Sequence, residues 1–186
     1  MTERSVAETG VLIALGANLG DPVRQVLGAV QELERRLGGQ GWYASSLWRS
    51  RPLNCPPGSP DFVNAVIACA FPEVSEWASP HGMITMLQAL ERASGRLDGR
   101  QRNAPRPLDL DLLLYGDCLS DSPECLLPHP RALERRFVLE PAAEVAPDWI
   151  WPGTGQSIRA LRDALRAQTD PTDIERMTWE SFRMGP

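Results

Sequence analysis

The stretch RPLDLDLLLYG, residues 106–116, constrains this chain more than any other. Leu108, Leu110, Leu112 and Leu114 alternate with Asp109, Asp111, Leu113 and Tyr115, the period of a β-strand in which every second side chain faces the same way. Asp109 and Asp111 therefore share a face, about 6–7 Å apart. Aspartate is a poor strand former and like charges repel, so the pair needs a reason. A divalent cation supplies one: Mg²⁺ takes one or two carboxylates and completes its octahedron with water and phosphate oxygens. The competing reading is an exposed face whose carboxylates are solvated or paired with Arg102 and Arg106. The Asp-x-Asp spacing alone leaves both open.

Five arginines, Arg92, Arg96, Arg100, Arg102 and Arg106, run up to this strand in a chain of net charge −5. A basic cluster inside an acidic protein suits a small anionic ligand held by bidentate guanidinium contacts, or else is a solvated helix end and loop. The acidic balance argues against nucleic acid or a membrane surface as partner. No apolar run approaches the ~20 residues of a membrane helix, and the opening MTERSVAETG has no apolar signal core. Cys55, Cys69, Cys118 and Cys125 form no Cys-x-x-Cys pair, and His81 and His129 are the only histidines, which argues against zinc. Free thiols imply a reducing compartment, and the expected location is the cytoplasm.

The remaining pattern orders the elements. VLIALG (11–16) reads as a buried strand and ANLGDP as a turn, with Asp21 and Pro22 as N-cap and first helical residue. Val23, Val26, Leu27, Val30, Leu33 and Leu37 keep helical spacing up to the glycines at 38–39. Strands are expected over 42–50 and 61–71, a loop over 72–82, and a helix over 83–95. An arginine-rich loop (96–106) then leads into the aspartate strand. Residues 127–148 read as a loop with short helical pieces, 157–168 as an amphipathic helix and 169–186 as a C-terminal tail, so 1–168 is expected to be a single domain. The order strand–helix–strand–strand–helix–strand fits an α+β, ferredoxin-like split βαβ core: an antiparallel sheet covered by helices, an α-β-α sandwich. GANLG (16–20) lacks the spacing of a phosphate or dinucleotide loop and reads as a turn. His129, between two prolines and near Arg131, Arg135 and Arg136, is either structural or a phosphate contact.

RNAPRPLDLDLL resembles the signature of the 6-hydroxymethyl-7,8-dihydropterin pyrophosphokinases. The likeness extends in order through IALGANLGDP, SLWRSRPL, PDFVNAV, LQALERASGR and LPHPRALERRFVL, over roughly residues 11 to 155. This resemblance implies transfer of pyrophosphate from ATP to the hydroxymethyl group of a reduced pterin, a step toward folate, on a ferredoxin-like fold with two Mg²⁺ ions. It implies that Asp109 and Asp111 hold the metal, and that Arg96 and Arg106 contact the phosphates, with Arg102, His129 and Arg135 beside them. Gln88 and Glu91 would lie near the nucleotide, and Leu112 would line the adenine pocket. Asn64 would read the pterin by its amide, and Phe62 and Phe137 would stack on its faces, although core packing also explains the two rings. The backbone around Ser50, Arg51 and Leu53 would supply further hydrogen bonds. The sequence departs from forms familiar in the family at Asn103 (often tryptophan), Phe62 (tyrosine), Asp98 (arginine) and Arg51 (proline). Two other readings fit the aspartate pair: another Mg-dependent, nucleotide-using transferase of the Asp-x-Asp type, or a non-catalytic nucleotide- or pterin-binding protein of the same fold.

Overall fold

The computed structural model describes residues 10–37, 41–70, 79–95 and 104–178. Strand β1 (Gly10–Ala17) leads into α1 (Pro22–Leu37), followed by β2 (Tyr43–Ala44), β3 (Trp48–Ser50), β4 (Phe62–Ala70) and α2 (Pro80–Ala93). Then come β5 (Asp109–Tyr115), the hairpin β6 (Ser120–Ser122) and β7 (Cys125–Leu127), α3 (Arg136–Val145), α4 (Ile158–Arg166) and β8 (Ile174–Arg176). The main sheet runs β5-β1-β4-β3-β8, with β2 also on β4, and every pairing is antiparallel. Since β1 and β3 each pair antiparallel with β4, they are parallel to one another with β4 between them, and α1 is the crossover. Likewise α2 joins β4 to β5 across β1. These two split units make the fold ferredoxin-like.

The sheet is covered on both faces. Val11, Ile13 and Leu15 of β1 pack with Val26 and Leu33 of α1 and Met83 and Leu87 of α2. Leu12 points the other way, with Val66, Leu113 and Leu114, against Val138, Leu139 and Ala142 of α3 and Ile158 of α4. A strand buried on both faces reads as an unbroken apolar run, as VLIAL does. Helix α1 starts where expected: the Asp21 carboxylate accepts the Arg24 N–H at 3.0 Å, and Val26, Ala29, Leu33 and Leu37 recur on its buried stripe.

Four expectations change. The strand over 42–50 is two pieces, because residues 45–47 face only 65 and 66: Ala44 pairs with Ile67 but Trp48 with Asn64. Ser45 makes this bulge possible, its hydroxyl accepting the Val66 N–H at 2.9 Å. Helix α2 begins at Pro80 rather than 83, capped by Ser79, whose side chain accepts the Gly82 N–H. The helical pieces expected over 127–148 are one 3₁₀ turn, Ala132–Glu134, and a full ten-residue helix, Arg136–Val145, that continues despite Pro141. Residues 174–176, expected in the tail, form β8 on β3, and the Met177 N–H donates to Leu47 O at 2.9 Å. The loop 96–103 with Arg96, Arg102 and Asn103, the glycines at 38–39 and most of the loop 72–82 lie outside the described residues.

Candidate active site

The register across the sheet defines the site. Gly16 of β1 is directly opposite Asp109 on one side and Asn64 on the other, and Asn64 is opposite Trp48. Opposed residues in antiparallel strands point to the same face, so Asp109, Gly16, Asn64 and Trp48 form one row on the α3 side. Two residues back along β1, Ala14 is opposite Asp111. Between the aspartates and the asparagine the sheet thus carries only glycine and alanine. A Cβ on Gly16 would stand 3.3 Å from Asn64 Oδ1 and 3.9 Å from Phe62 Cδ1, so a side chain there would crowd the Asn64 amide while only touching the ring.

The aspartates are unevenly partnered. Arg106 Nη1 donates to Asp109 Oδ1 at 2.8 Å. Asp111, with about a third of its side chain exposed, has His129 Nε2 at 3.8 Å and Arg135 Nη1 at 3.9 Å, both beyond hydrogen-bond reach. Burial, then the Asp109 charge beside it, pushes its carboxyl up to about 6, against the pull of Arg135, Arg106 and Arg131. His129 is held by its backbone N–H, which donates to Leu113 O at 3.0 Å, and its Nδ1 accepts the Arg131 N–H at 3.3 Å. Burial and the charges of Arg135 and Arg131 lower its pKa to about 4. The ring is therefore neutral at pH 7 with its proton on Nε2, a donor aimed at the Asp111 side of the site. Arg135 also lies over the Phe137 ring, 5.4 Å from its centroid.

A cavity of about 400 Å³ opens beside β5, between Ile84, Gln88 and Glu91 of α2, Leu126 of the hairpin and His129, and it reaches Leu112, Asp109 and Asp111. β5 is an edge strand there. Buried Glu91 accepts the outward Leu110 N–H at 2.8 Å, and by the strand's period the Leu112 backbone groups face the same edge.

On the other side, Asn64 Nδ2 donates to Trp48 O at 3.3 Å and to Ser50 Oγ at 3.0 Å, all three residues being buried. With both amide hydrogens engaged, the group Asn64 turns toward Gly16 is its carbonyl oxygen. Phe62 and Phe137 are half-buried, and Leu53 is exposed. The Arg51 N–H donates to Asp173 O at 3.0 Å and its guanidinium is 3.7 Å from the same residue, so that N–H is engaged by the segment before β8.

The structure thus gathers Arg106, Asp109, Asp111, His129 and Arg135 at one end of the row and Ser50, Phe62 and Asn64 at the other, with Gln88, Glu91 and Leu112 around the edge of β5. Of the neighbouring segment, the Arg51 N–H is taken by Asp173 O and Leu53 is exposed. Two residues escaped the sequence reading. Arg131, regarded only as a neighbour of His129, lies close enough to influence both His129 and Asp111. Asn18, in the turn after β1, is buried and bonded to two loops: its Oδ1 accepts the Arg106 N–H at 2.8 Å and its Nδ2 donates to Pro60 O at 3.2 Å. A glycine-rich turn signal carries no trace of such a bridge.

A pair of carboxylates without a third acidic or histidine ligand fits Mg²⁺, which leaves most of its positions to water and phosphate; among the described residues no group of three or more such ligands occurs. No described helix is long and apolar enough to cross a membrane.

Residues 12–147 match the family model described as 7,8-dihydro-6-hydroxymethylpterin-pyrophosphokinase. The chain is 38% identical over 152 residues to the 2-amino-4-hydroxy-6-hydroxymethyldihydropteridine pyrophosphokinase of Synechocystis, covering 82% of this chain and 74% of that one. It is 34% identical over 172 residues to the enzyme of the same name from Methylorubrum extorquens, covering 91% and 99%. Among solved structures, wild-type HPPK-DHPS of Plasmodium falciparum superposes with a TM-score of 0.64 at 11% identity, over 90% of this chain and 48% of that one, a likeness of fold. The chain belongs to the 7,8-dihydro-6-hydroxymethylpterin-pyrophosphokinase family.

Proposed function

We propose that the α3 face of the sheet, from Asp109 and Asp111 across Gly16 to Asn64, is where this chain carries out its family's reaction. The chain is an ATP-dependent pyrophosphokinase that transfers pyrophosphate from ATP to the hydroxymethyl group of 6-hydroxymethyl-7,8-dihydropterin in folate synthesis. The observation that carries the placement is the row Asp109–Gly16–Asn64 on three adjacent strands. Strands lie about 4.8 Å apart, so acid and amide stand about 10 Å apart on one face with no side chain between them. That gap suits a hydroxymethyl oxygen brought from one side toward a phosphorus brought from the other.

Asp109 and Asp111 would hold two Mg²⁺ ions. Bound there, the metal would neutralise polyphosphate charge and lower the pKa of the pterin hydroxyl. The chain's own groups do the rest by placement and charge. Arg106 and Arg135 would face the phosphates, Arg131 would add charge, and neutral His129 would donate from Nε2. Arg96 and Arg102, outside the described residues, keep the phosphate role the resemblance gives them. Leu112 would meet the adenine at the β5 edge, beside Gln88, with Glu91 fixing that edge through the Leu110 N–H. Asn64 would accept a pterin N–H, Ser50 would hold Asn64, and Phe62 and Phe137 would sandwich the ring.

We read residues 1–168 as a single catalytic domain, extended by β8, that works in the cytoplasm on small molecules; its described cysteines are free thiols. The test is AMP release from ATP with and without the reduced pterin in the presence of Mg²⁺. Pterin-dependent AMP formation is expected. ATP consumption that ignores the pterin would favour a different nucleotide-using transferase, and binding of both without turnover a non-catalytic protein.

A further inference from the structure

Asn18 occupies a position that its neighbours explain only in part. It follows the last residue of β1, the central of the three strands that build the site. The segments leading into β5 and β4 approach it from opposite sides. Its backbone N–H donates to Arg106 O at 3.2 Å and its Oδ1 accepts the Arg106 N–H at 2.8 Å, so Arg106 is clamped at both backbone groups. Its Nδ2 donates to Pro60 O at 3.2 Å. Arg106 in turn bonds Asp109, and Pro60 lies two residues before Phe62 and four before Asn64. A primary amide accepts at one atom and donates at the other; a carboxylate of the same shape only accepts.

We propose that Asn18 is a positioning residue that couples the two substrate positions, its single buried amide tying the arm that presents Arg106 to the arm that leads to Phe62 and Asn64. This inference rests on the reading of the site given above. A ligand that pulls Arg106 toward its phosphates shifts Asn18, and Asn18 carries the shift to Pro60. By linkage, bound pterin must then raise the affinity for the nucleotide by the same factor.

Asn18→Asp separates the halves. It keeps an oxygen for the Arg106 N–H but sets a carboxylate oxygen against the Pro60 carbonyl. The reduced pterin is titrated calorimetrically into the full chain with and without Mg²⁺ and a non-hydrolysable ATP analogue. In the unaltered chain the analogue is expected to tighten pterin binding about tenfold, within the roughly 5- to 150-fold range typical of coupled sites. In N18D that ratio is expected to fall to about one, while the analogue alone binds within about threefold of normal. Asn18→Ser, whose hydroxyl reaches only one arm, is expected to lose the ratio as well, and it serves if N18D does not fold. A retained tenfold ratio in either folded variant overturns the proposal, as does a ratio of one in the unaltered chain. An unaltered chain that binds neither ligand overturns the reading of the site instead.

Discussion

Two carboxylates near α3 meet opposite fates. Glu140, in the middle of the helix, is 1% exposed and is gripped by Arg136 at 2.8 Å and by Arg166 of α4 at 2.7 Å. Arg136 also donates to Asp170 O at 2.8 Å, which ties the C-terminal segment to the same point. Burial alone would raise the Glu140 carboxyl, but the hydrogen bonds from Arg166 and Arg136 outweigh it and hold it below the usual range. Asp111, across from the start of the same helix, has its cation and its imidazole at 3.9 and 3.8 Å, and its carboxyl is pushed up to about 6. Glu140 has two guanidiniums within hydrogen-bond reach, whereas Asp111 has one guanidinium and a neutral imidazole about an ångström farther off, and Asp109 beside it. The closed cluster holds helices together; on the reading proposed above, the open one leaves Asp111 to a ligand.

The sharpest break of this comparison is at the open cluster. Asp109→Asn and Asp111→Asn should each lower turnover at least about a hundredfold, the scale of losing one preorganised electrostatic contact. The urea midpoint should stay level or rise in D111N, since a repelling pair is relieved, whereas D109N also gives up the ion pair with Arg106. Near-normal turnover of both variants at saturating Mg²⁺ would remove the metal from these residues. The mirror experiment is Glu140→Ala, which leaves two arginines facing no anion. It should cost about 3 kcal/mol of stability, the low end for breaking a buried pair because Arg166 is half-exposed. Turnover per folded molecule should hardly change, and a large loss of kcat in folded E140A would mean that the closed cluster serves the chemistry as well.

Gly16→Ala tests the bare floor. Its Cβ, 3.3 Å from Asn64 Oδ1, must displace the amide, so pterin affinity should fall about tenfold, within the 1–3 kcal/mol typical of overpacking. Affinity for an ATP analogue should be spared; equal loss of both would make Gly16 a packing residue only. In the unaltered protein the smallest net effect is in pH, because two contributions oppose each other. His129, lowered to about 4, gives stability that is lost as pH falls from its ordinary 6.5 toward 4. Asp111, raised to about 6 from 3.8, does the reverse: the protein gains stability as pH falls through that window. The two slopes oppose, so D111N should lose stability faster than the unaltered protein between pH 6.5 and 4, and H129N more slowly. Parallel stability curves for all three proteins would show that these groups titrate normally.

The elements with long runs of one period were legible in the sequence: β1, α1, β4 and β5 lie within a residue or so of expectation, and the aspartates with them. What was not legible depends on partners rather than period. The break between β2 and β3 is set by Ser45 bonding β4, and β8 is three residues, Ile174–Arg176, with no pattern of their own until β3 supplies the ladder. The start of α2 was readable and missed, since Ser79 before Pro80 is an N-cap signal. In the site, residue types that advertise chemistry stood out. Asn18 did not, because its importance comes from spanning two segments 42 and 88 residues away. The engagement of the Arg51 N–H was hidden for the same reason, since its acceptor, Asp173, lies in what reads as a tail.

One irregularity in β5 decides which way the aspartates look. Leu12 is opposite Leu114 but Ile13 is opposite Leu112, so Leu113 is an extra residue. Leu113 and Leu114 consequently both lie in the cluster under α3. Beyond them Tyr115 joins the cluster on the far face, and the Gly116 N–H is fastened to Gly10 O at 2.8 Å. The strand behaves as a screw with one half-turn cut into its thread. Take out a single residue at 113 and the pairs on either side of it, Leu12 with Leu114 and Ile13 with Leu112, close into a regular ladder. Leu110 and Leu112 would stay in the oil beneath α2, and both acids would stay on the α3 face. The heavier blow in this segment is one added residue between Asp111 and the bulge while Gly116 stays fastened, because it turns the acids over while leaving every functional residue in the chain.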